Sequence, residues 1–221
     1  MAGCDAVVLC TSAVPAIKPL SLMKTMATKF LPFVKTSRPA FKFPKNGTPE
    51  EVDWLGAKKQ IDAAKTAGVK QFVFVSSMGG TNPDNFLNSI GRRKNGSGGD
   101  ILLWKRKAER YLVESGVPYT IIHPGGLVDE DGAKRELVVG VNDEIMKDPA
   151  FASGGTRSVA RADVARVCKA ALGSAAATGV ALDLVSKKAG DGTPTKDAST
   201  VFTAPGKYTY EPAAADPPSI F

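Results

Sequence analysis

Residues 69–77 read VKQFVFVSS, and the reading of this stretch decides the fold. An unbroken apolar run from Phe72 to Val75 ends in Ser76 and Ser77. That composition predicts a strand buried on both faces, as in a parallel sheet covered by helices. Its flanks agree. Upstream, TPEEVDWLGAKKQIDAAKTAG (48–68) has the features of a helix. Thr48 is placed to cap it, Pro49 to occupy its first position, Glu51 to complete a capping box and Gly68 to end it. Val52, Leu55, Ile61 and Ala64 form its apolar stripe.

The same alternation runs outward in both directions. CDAVVLC (4–10) predicts an earlier strand, Ala6 to Cys10, a central one buried on both faces, with Cys10 as a core filler. ILLWKRKAERYLVESG (101–116) predicts a helix with Leu102, Leu103, Tyr111 and Leu112 inward, and VPYTIIHPGG (117–126) a strand at Tyr119–Ile122. RADVARVCKAALG (161–173) and VALDLVS (180–186) repeat the pair, with Cys168 in the core. Strands alternating with helices of this length predict right-handed βαβ units. The fold class is therefore α/β, a doubly wound parallel sheet. Residues 127–159 are longer than a crossover needs and predict a small lobe beside the C-terminal strand edge. SLMKTMATKFLPFVKTSRPAFKF (21–43), interrupted by Pro32 and Pro39, predicts a surface loop over the sheet edge. Residues 206–221 form a Pro/Ala-rich tail, disordered or draped on the surface, behind a single domain of residues 1–205.

Composition narrows the partners. The 221 residues are 43% hydrophobic and carry a net charge of +7, yet the basic residues are scattered. GRRKNGSGG (91–99) has a loop's composition without interleaved aromatics, which argues against nucleic acid. No apolar run reaches the ~18 residues of a membrane span. The three cysteines, Cys4, Cys10 and Cys168, lack metal-ligand spacing, and the single histidine, His123, excludes a histidine-based metal site. The first residues carry no basic n-region or cleavage pattern, which points to the cytoplasm, or to a plastid if a preceding segment held a transit peptide.

Ligands of open α/β sheets bind outside the carboxyl ends of the strands. Three exits are small, hydroxylated or glycine-rich: Thr11, Ser12 and Ala13; Ser76 through Gly80; and His123 through Gly126. Together they predict a ligand cleft that backbone can approach closely.

CDAVVLCTSAVP, GVKQFVFVSSMGGTNP, WKRKAERYLVESGVPYTIIHPGGLVDEDG and VARADVARVC, in this order across residues 4–205, resemble the atypical short-chain dehydrogenase/reductases. The resemblance implies a Rossmann-like NAD(P)-binding fold with NADP, or NAD, as cofactor and an unidentified small-molecule substrate. It also implies residue roles. Thr11, Ser12 and Ala13 line the adenosine side of the cofactor. Ser76 and Ser77 match the exit that carries a catalytic serine, most closely Ser77. Lys105 matches the lysine that holds the nicotinamide ribose, and Pro124, Gly125 and Gly126 the turn beside the nicotinamide amide.

The chain departs from the family pattern in three places. Members begin with a strand and a glycine-rich turn that lays backbone N–H groups on the pyrophosphate. This sequence has no counterpart, so the expected fold is N-terminally incomplete, with weakened NADP binding, through truncation or genuine loss. Ile101 stands four residues before Lys105, where catalytic members have a tyrosine as general acid. Lys59 stands at the helix asparagine of the proton relay. Tyr111 and Tyr119 are the nearest other phenols and read as core residues. Two functions remain open: an NADP-dependent oxidoreductase acting on a small carbonyl or quinone, with Ser77 and Lys105 catalytic, or a non-catalytic NADP-binding, sensing or scaffold protein.

Overall fold

The computed structural model describes residues 1–29, 39–93, 98–149, 157–203, 205–210 and 217. The elements in chain order are β1 (Ala6–Leu9), β2 (Ala16–Ile17), α1 (Pro19–Lys29), β3 (Phe41–Lys42) and a π-helical segment, Glu50–Gly56, that runs on into α2 (Ala57–Thr66). Then come β4 (Gln71–Val75), the short α3 (Phe86–Ser89), α4 (Ile101–Glu114), β5 (Tyr119–Pro124), β6 (Gly126–Val128) and β7 (Leu137–Gly140). They are followed by α5 (Glu144–Lys147), β8 (Ser158–Ala160), α6 (Arg161–Ala171) and β9 (Val180–Ser186).

The main sheet has the order β1-β4-β5-β9-β7. β1, β4, β5 and β9 are parallel, with Val73 opposite Val8 on one side and Thr120 on the other. β7 pairs antiparallel with β9, so the long segment after β5 adds a fifth strand to the sheet as well as a small β6–β8 pair. Side chains alternate across the strands and divide the core in two. On one face Phe72, Phe74, Ile121 and Ala181 pack against Ile61 of α2 and Leu112 of α4. On the other, Val73, Ile122, Leu182 and Leu184 pack against Val167 and Cys168 of α6.

The helix that precedes β4 starts as its sequence dictates. The Thr48 N–H and hydroxyl donate to Glu51 Oε2 at 3.0 and 2.7 Å, and the Glu51 N–H donates to Thr48 Oγ1 at 3.3 Å, a closed capping box. Its inner stripe differs from the expected one. Val52 and Leu55 are only half-buried, whereas Asp53, Ala57, Ile61 and Ala64 are buried. The π-helical first turns rotate the face, so a carboxylate takes the first inward position.

Three expectations are corrected. β1 is at the edge of the sheet and not central, pairing only with β4 among the described strands, and Val8 is 41% exposed. Cys10, one residue past its end, is exposed rather than core, because the strand's outer face has no described element packed over it there. Within 21–43, a helix forms in place of a loop, for α1 runs to Lys29, with Leu20, Met23 and Met26 exposed; residues 30–38 lie outside the described residues. The described part of the tail is draped on the surface, with Tyr208 and Tyr210 packed against the α4 side of the core and contributing the apolar area that Pro and Ala lack. Among the described residues no helix is long and apolar enough to cross a membrane.

Ile121 is fully buried at the centre of the α4 face. Ile121→Ala leaves a cavity that a packed sheet cannot close, and chemical denaturation is expected to show a loss of about 2–5 kcal/mol.

Candidate functional site

The sheet ends at a polar cluster built from four elements. Ser76, directly after β4, points to the α4 face, and its hydroxyl donates to Glu109 Oε1. Glu109 Oε2 accepts from His123 Nε2 at 3.0 Å. The other ring nitrogen, Nδ1, lies 3.2 Å from the Leu182 carbonyl oxygen and 3.5 Å from Asp183 Oδ1. Acceptors at both nitrogens suit an imidazolium. Asp183 Oδ2 accepts from the Asp143 N–H at 2.8 Å. The Asp143 carboxylate in turn accepts from the Gly79 N–H at 2.6 Å, the Thr81 N–H at 2.9 Å and the Thr81 hydroxyl at 2.7 Å. The circuit thus leaves the β4 exit at Ser76 and returns to it at Gly79 and Thr81, with Ser77 and Met78 held between. Tyr208 stacks on the His123 ring at 4.6 Å, and Arg106 donates to the Thr209 carbonyl at 3.1 Å, closing the cluster from the tail side.

These groups shift each other's protonation. Burial alone would lower the pKa of His123, but the charge and hydrogen bond of Glu109, with Asp183 and Asp143 behind, raise it. Burial opposes ionisation of Glu109 as well, yet the His123 charge, the bonds from His123 and Ser76, and Arg106 hold its carboxyl below the usual value. Burial pushes Asp183 up to about 6, against the pull of His123.

A second polar contact braces the cleft wall. Lys105 of α4 is buried, with Nζ 2.8 Å from Asp53 Oδ1, and Asp53 Oδ2 accepts from the Ala13 N–H at 3.1 Å. One carboxylate therefore joins α4, the π-helical segment and the exit loop of β1. In front of it is a cavity of about 290 Å³, mostly apolar, bordered by Cys10, Ser12, Ser76, Ser77, Ile101 and Lys105. Ser77 also borders a neighbouring cavity of about 210 Å³ lined by Pro124, Gly125 and Gly126. Gly125 is required there, since a Cβ would come 2.5 Å from the Arg157 carbonyl oxygen.

Most of the residues singled out in the sequence therefore border two adjoining cavities at the carboxyl ends of β1, β4 and β5. Two do not: Thr11 is exposed and borders neither, and Ala13 is buried and contributes its N–H to Asp53. Ser76 commits its hydroxyl to Glu109, whereas the Ser77 hydroxyl makes a single described bond, to the Met78 carbonyl at 3.2 Å. Ile101 lines the first cavity with Lys105, so a hydrophobe faces the space where the family has its acid. Neither tyrosine replaces it. Tyr111 donates to Asp62, and Tyr119 starts β5 at the opposite end of the sheet. Sequence reasoning missed Asp53, Glu109 and Asp183. Two signals could have found them: the i, i+4 spacing of Asp53 with Ala57 and of Lys105 with Glu109, and the interruption of an otherwise apolar strand by Asp183.

The sheet ends thus present an apolar slot with a buried lysine, a serine hydroxyl bonded only to its neighbouring carbonyl among the described residues, and a close glycine turn. A family described as NAD(P)H-binding matches residues 1–175. An uncharacterised chloroplastic protein of Arabidopsis thaliana is 53% identical over 201 residues, 91% of this chain and 55% of its own length. Sanguinarine reductase of Eschscholzia californica is 42% identical over 210 residues, 92% of this chain and 72% of its own. The chain thus spans little more than half of the first relative. A solved structure from Bacillus halodurans, described as an NAD-dependent epimerase/dehydratase, shares the fold with a TM-score of 0.57 at 24% identity, over 90% of this chain and 70% of that one.

His123 is the single histidine, so its imidazole resonances are read without overlap. NMR titration is expected to place its midpoint above the ordinary ~6.5, and Glu109→Gln to move it down, because burial then prevails. The sign for stability follows. A raised histidine contributes stability that is fully present below about pH 6.5 and is lost as pH rises through the folded value, so the unfolding free energy falls toward alkaline pH.

Proposed function

The chain belongs to the NAD(P)H-binding family of atypical short-chain dehydrogenase/reductases, and from that premise we propose that it reduces a small carbonyl or quinone at the cavity between Lys105 and Ser77. NAD(P)H, when bound, supplies the hydride. The observation that carries the reading is the buried Lys105–Asp53 pair, which aims an ammonium into an otherwise apolar slot.

The residues divide the work. Lys105 binds the nicotinamide ribose hydroxyls, while Asp53 fixes its side chain. Pro124, Gly125 and Gly126 give the carboxamide a backbone wall. The Ser77 hydroxyl donates to the substrate oxygen as negative charge develops there. Ile101 offers no proton, so the proton that completes reduction comes from water admitted at the exposed Ser12 side. The apolar lining of Ile101, Leu102 and Leu127 keeps other water from the reacting carbon. Thr11, Ser12 and Ala13 face the adenosine side. A second reading, a protein that binds NADP and signals or scaffolds without turnover, has Ile101 in its favour. The chloroplastic relative supports a plastid location.

Lys105→Met combined with Asp53→Asn removes both charges and avoids leaving one buried alone. Calorimetric titration of this variant with NADPH is expected to show binding at least tenfold weaker, from the loss of hydrogen bonds to a charged donor. Ser77→Ala is expected to keep NADPH affinity and to lower kcat with an aldehyde or quinone panel. Binding without oxidation by any member of that panel would favour the non-catalytic reading. Unchanged affinity in the double variant would remove Lys105 from the site.

A further inference from the structure

A third cavity, about 300 Å³, lies on the other side of Phe43 from the one in front of Lys105, and Phe43 borders both. Its walls come from the antiparallel β2–β3 pair and its flank, with Lys18, Phe41 and Lys42, and from the loop after α3, with Arg92 and Arg93. No carboxylate is among its lining residues. The neighbouring polar groups are already engaged: Arg92 pairs with Asp100, and Thr48 with Glu51. Lys18, Lys42 and Arg93 make no ion pair among the described residues. Three uncompensated cations around one small cavity repel each other, and an anion placed among them relieves that repulsion.

The two loops are held together by an aromatic–glycine contact. Gly91 has φ +75°, and a Cβ there would stand 2.6 Å from the Phe43 ring. The ring therefore rests directly on the backbone that leads into Arg92 and Arg93. Lys18, Lys42, Arg92 and Arg93 are here gathered beside an aromatic wall.

We propose that the substrate carries an oxyanion, a carboxylate or a phosphate, on an aromatic body. Lys18, Lys42 and Arg93 bind the oxyanion, and the body reaches past Phe43 toward Ser77. This rests on the reading that reduction takes place in the adjoining cavity. The recognition is by charge-assisted hydrogen bonds, so it weakens as salt is added.

Titration calorimetry without NADPH keeps the two readings separable. The probes are benzoate, phenyl phosphate and the uncharged benzyl alcohol. One or both anions are expected to bind at least tenfold more tightly than benzyl alcohol, and the tighter anion identifies the source as carboxylate or phosphate. Lys42→Ala and Arg93→Ala, both exposed, should each weaken the anion about tenfold and leave the melting temperature unchanged. Lys18→Ala serves as a third variant should either of these fail to fold. Lys65→Ala, on the exposed face of α2, should change nothing. The proposal is overturned if neither anion binds, if benzyl alcohol binds as tightly, or if the cavity variants bind the anions as the unaltered protein does. Absence of hydride transfer, with anion binding intact, would instead count against the proposed reaction.

Discussion

The circuit of hydrogen bonds, with one charge contact between His123 and Asp183, that leaves Ser76 and returns at Gly79 and Thr81 sets the geometry on which the site depends. Each link joins residues far apart in sequence: Ser76 to Glu109, Glu109 to His123, His123 to Asp183, and Asp143 back to the loop. All of these groups are buried apart from the loop atoms, so each is costly to leave unpaired. The loop between the two anchoring points, Ser77 and Met78, has little freedom to move. In the proposed reaction Ser77 gains from such preorganisation, because its orientation is set before the substrate arrives. The tail contributes too, for Tyr208 covers the imidazole and so keeps the circuit dry.

The Lys105–Asp53 pair serves the same purpose on the other wall. A buried ion pair adds little to stability compared with apolar packing. What it supplies here is a charged donor at a fixed place, tied through Ala13 to the exit of β1. The π-helical start of the preceding helix is the local distortion that makes this contact, since it turns Asp53 inward in line with Ala57 and Ile61. The two devices together place Ser77 and Lys105 on a cavity that is mostly apolar.

Most of the fold was legible in the sequence because its signals were local. The capping box at Thr48 and Glu51, the helix over 101–114 and the parallel pairing of β4 with β5 follow from periodicity and end residues. Edge position was not local. An apolar run such as Ala6 to Leu9 reads the same in the centre of a sheet or at its border, so the exposure of Val8 and Cys10 had no sequence signature. The exits that border the cleft were visible as small and hydroxylated residues, and the family pattern identified Lys105. Its partner Asp53 was hidden among ordinary helix-surface acids, and although the i, i+4 spacing of Lys105 with Glu109 and the polar break at Asp183 were visible, the contacts of both with His123, across 14 and 60 positions, were not. The tail's Tyr208 and Tyr210 were masked by the proline and alanine around them.

The central claim is that the nicotinamide end of the cofactor occupies the slot between Lys105, Ser77 and the Pro124–Gly125 turn. A crystal structure of the protein with NADP bound tests it most directly. The account predicts the nicotinamide ribose against Lys105, with Asp53 still paired behind it, and the ring beside Ser77 and Gly125. A nicotinamide ring found elsewhere, with the slot in front of Lys105 free of the cofactor, would contradict it.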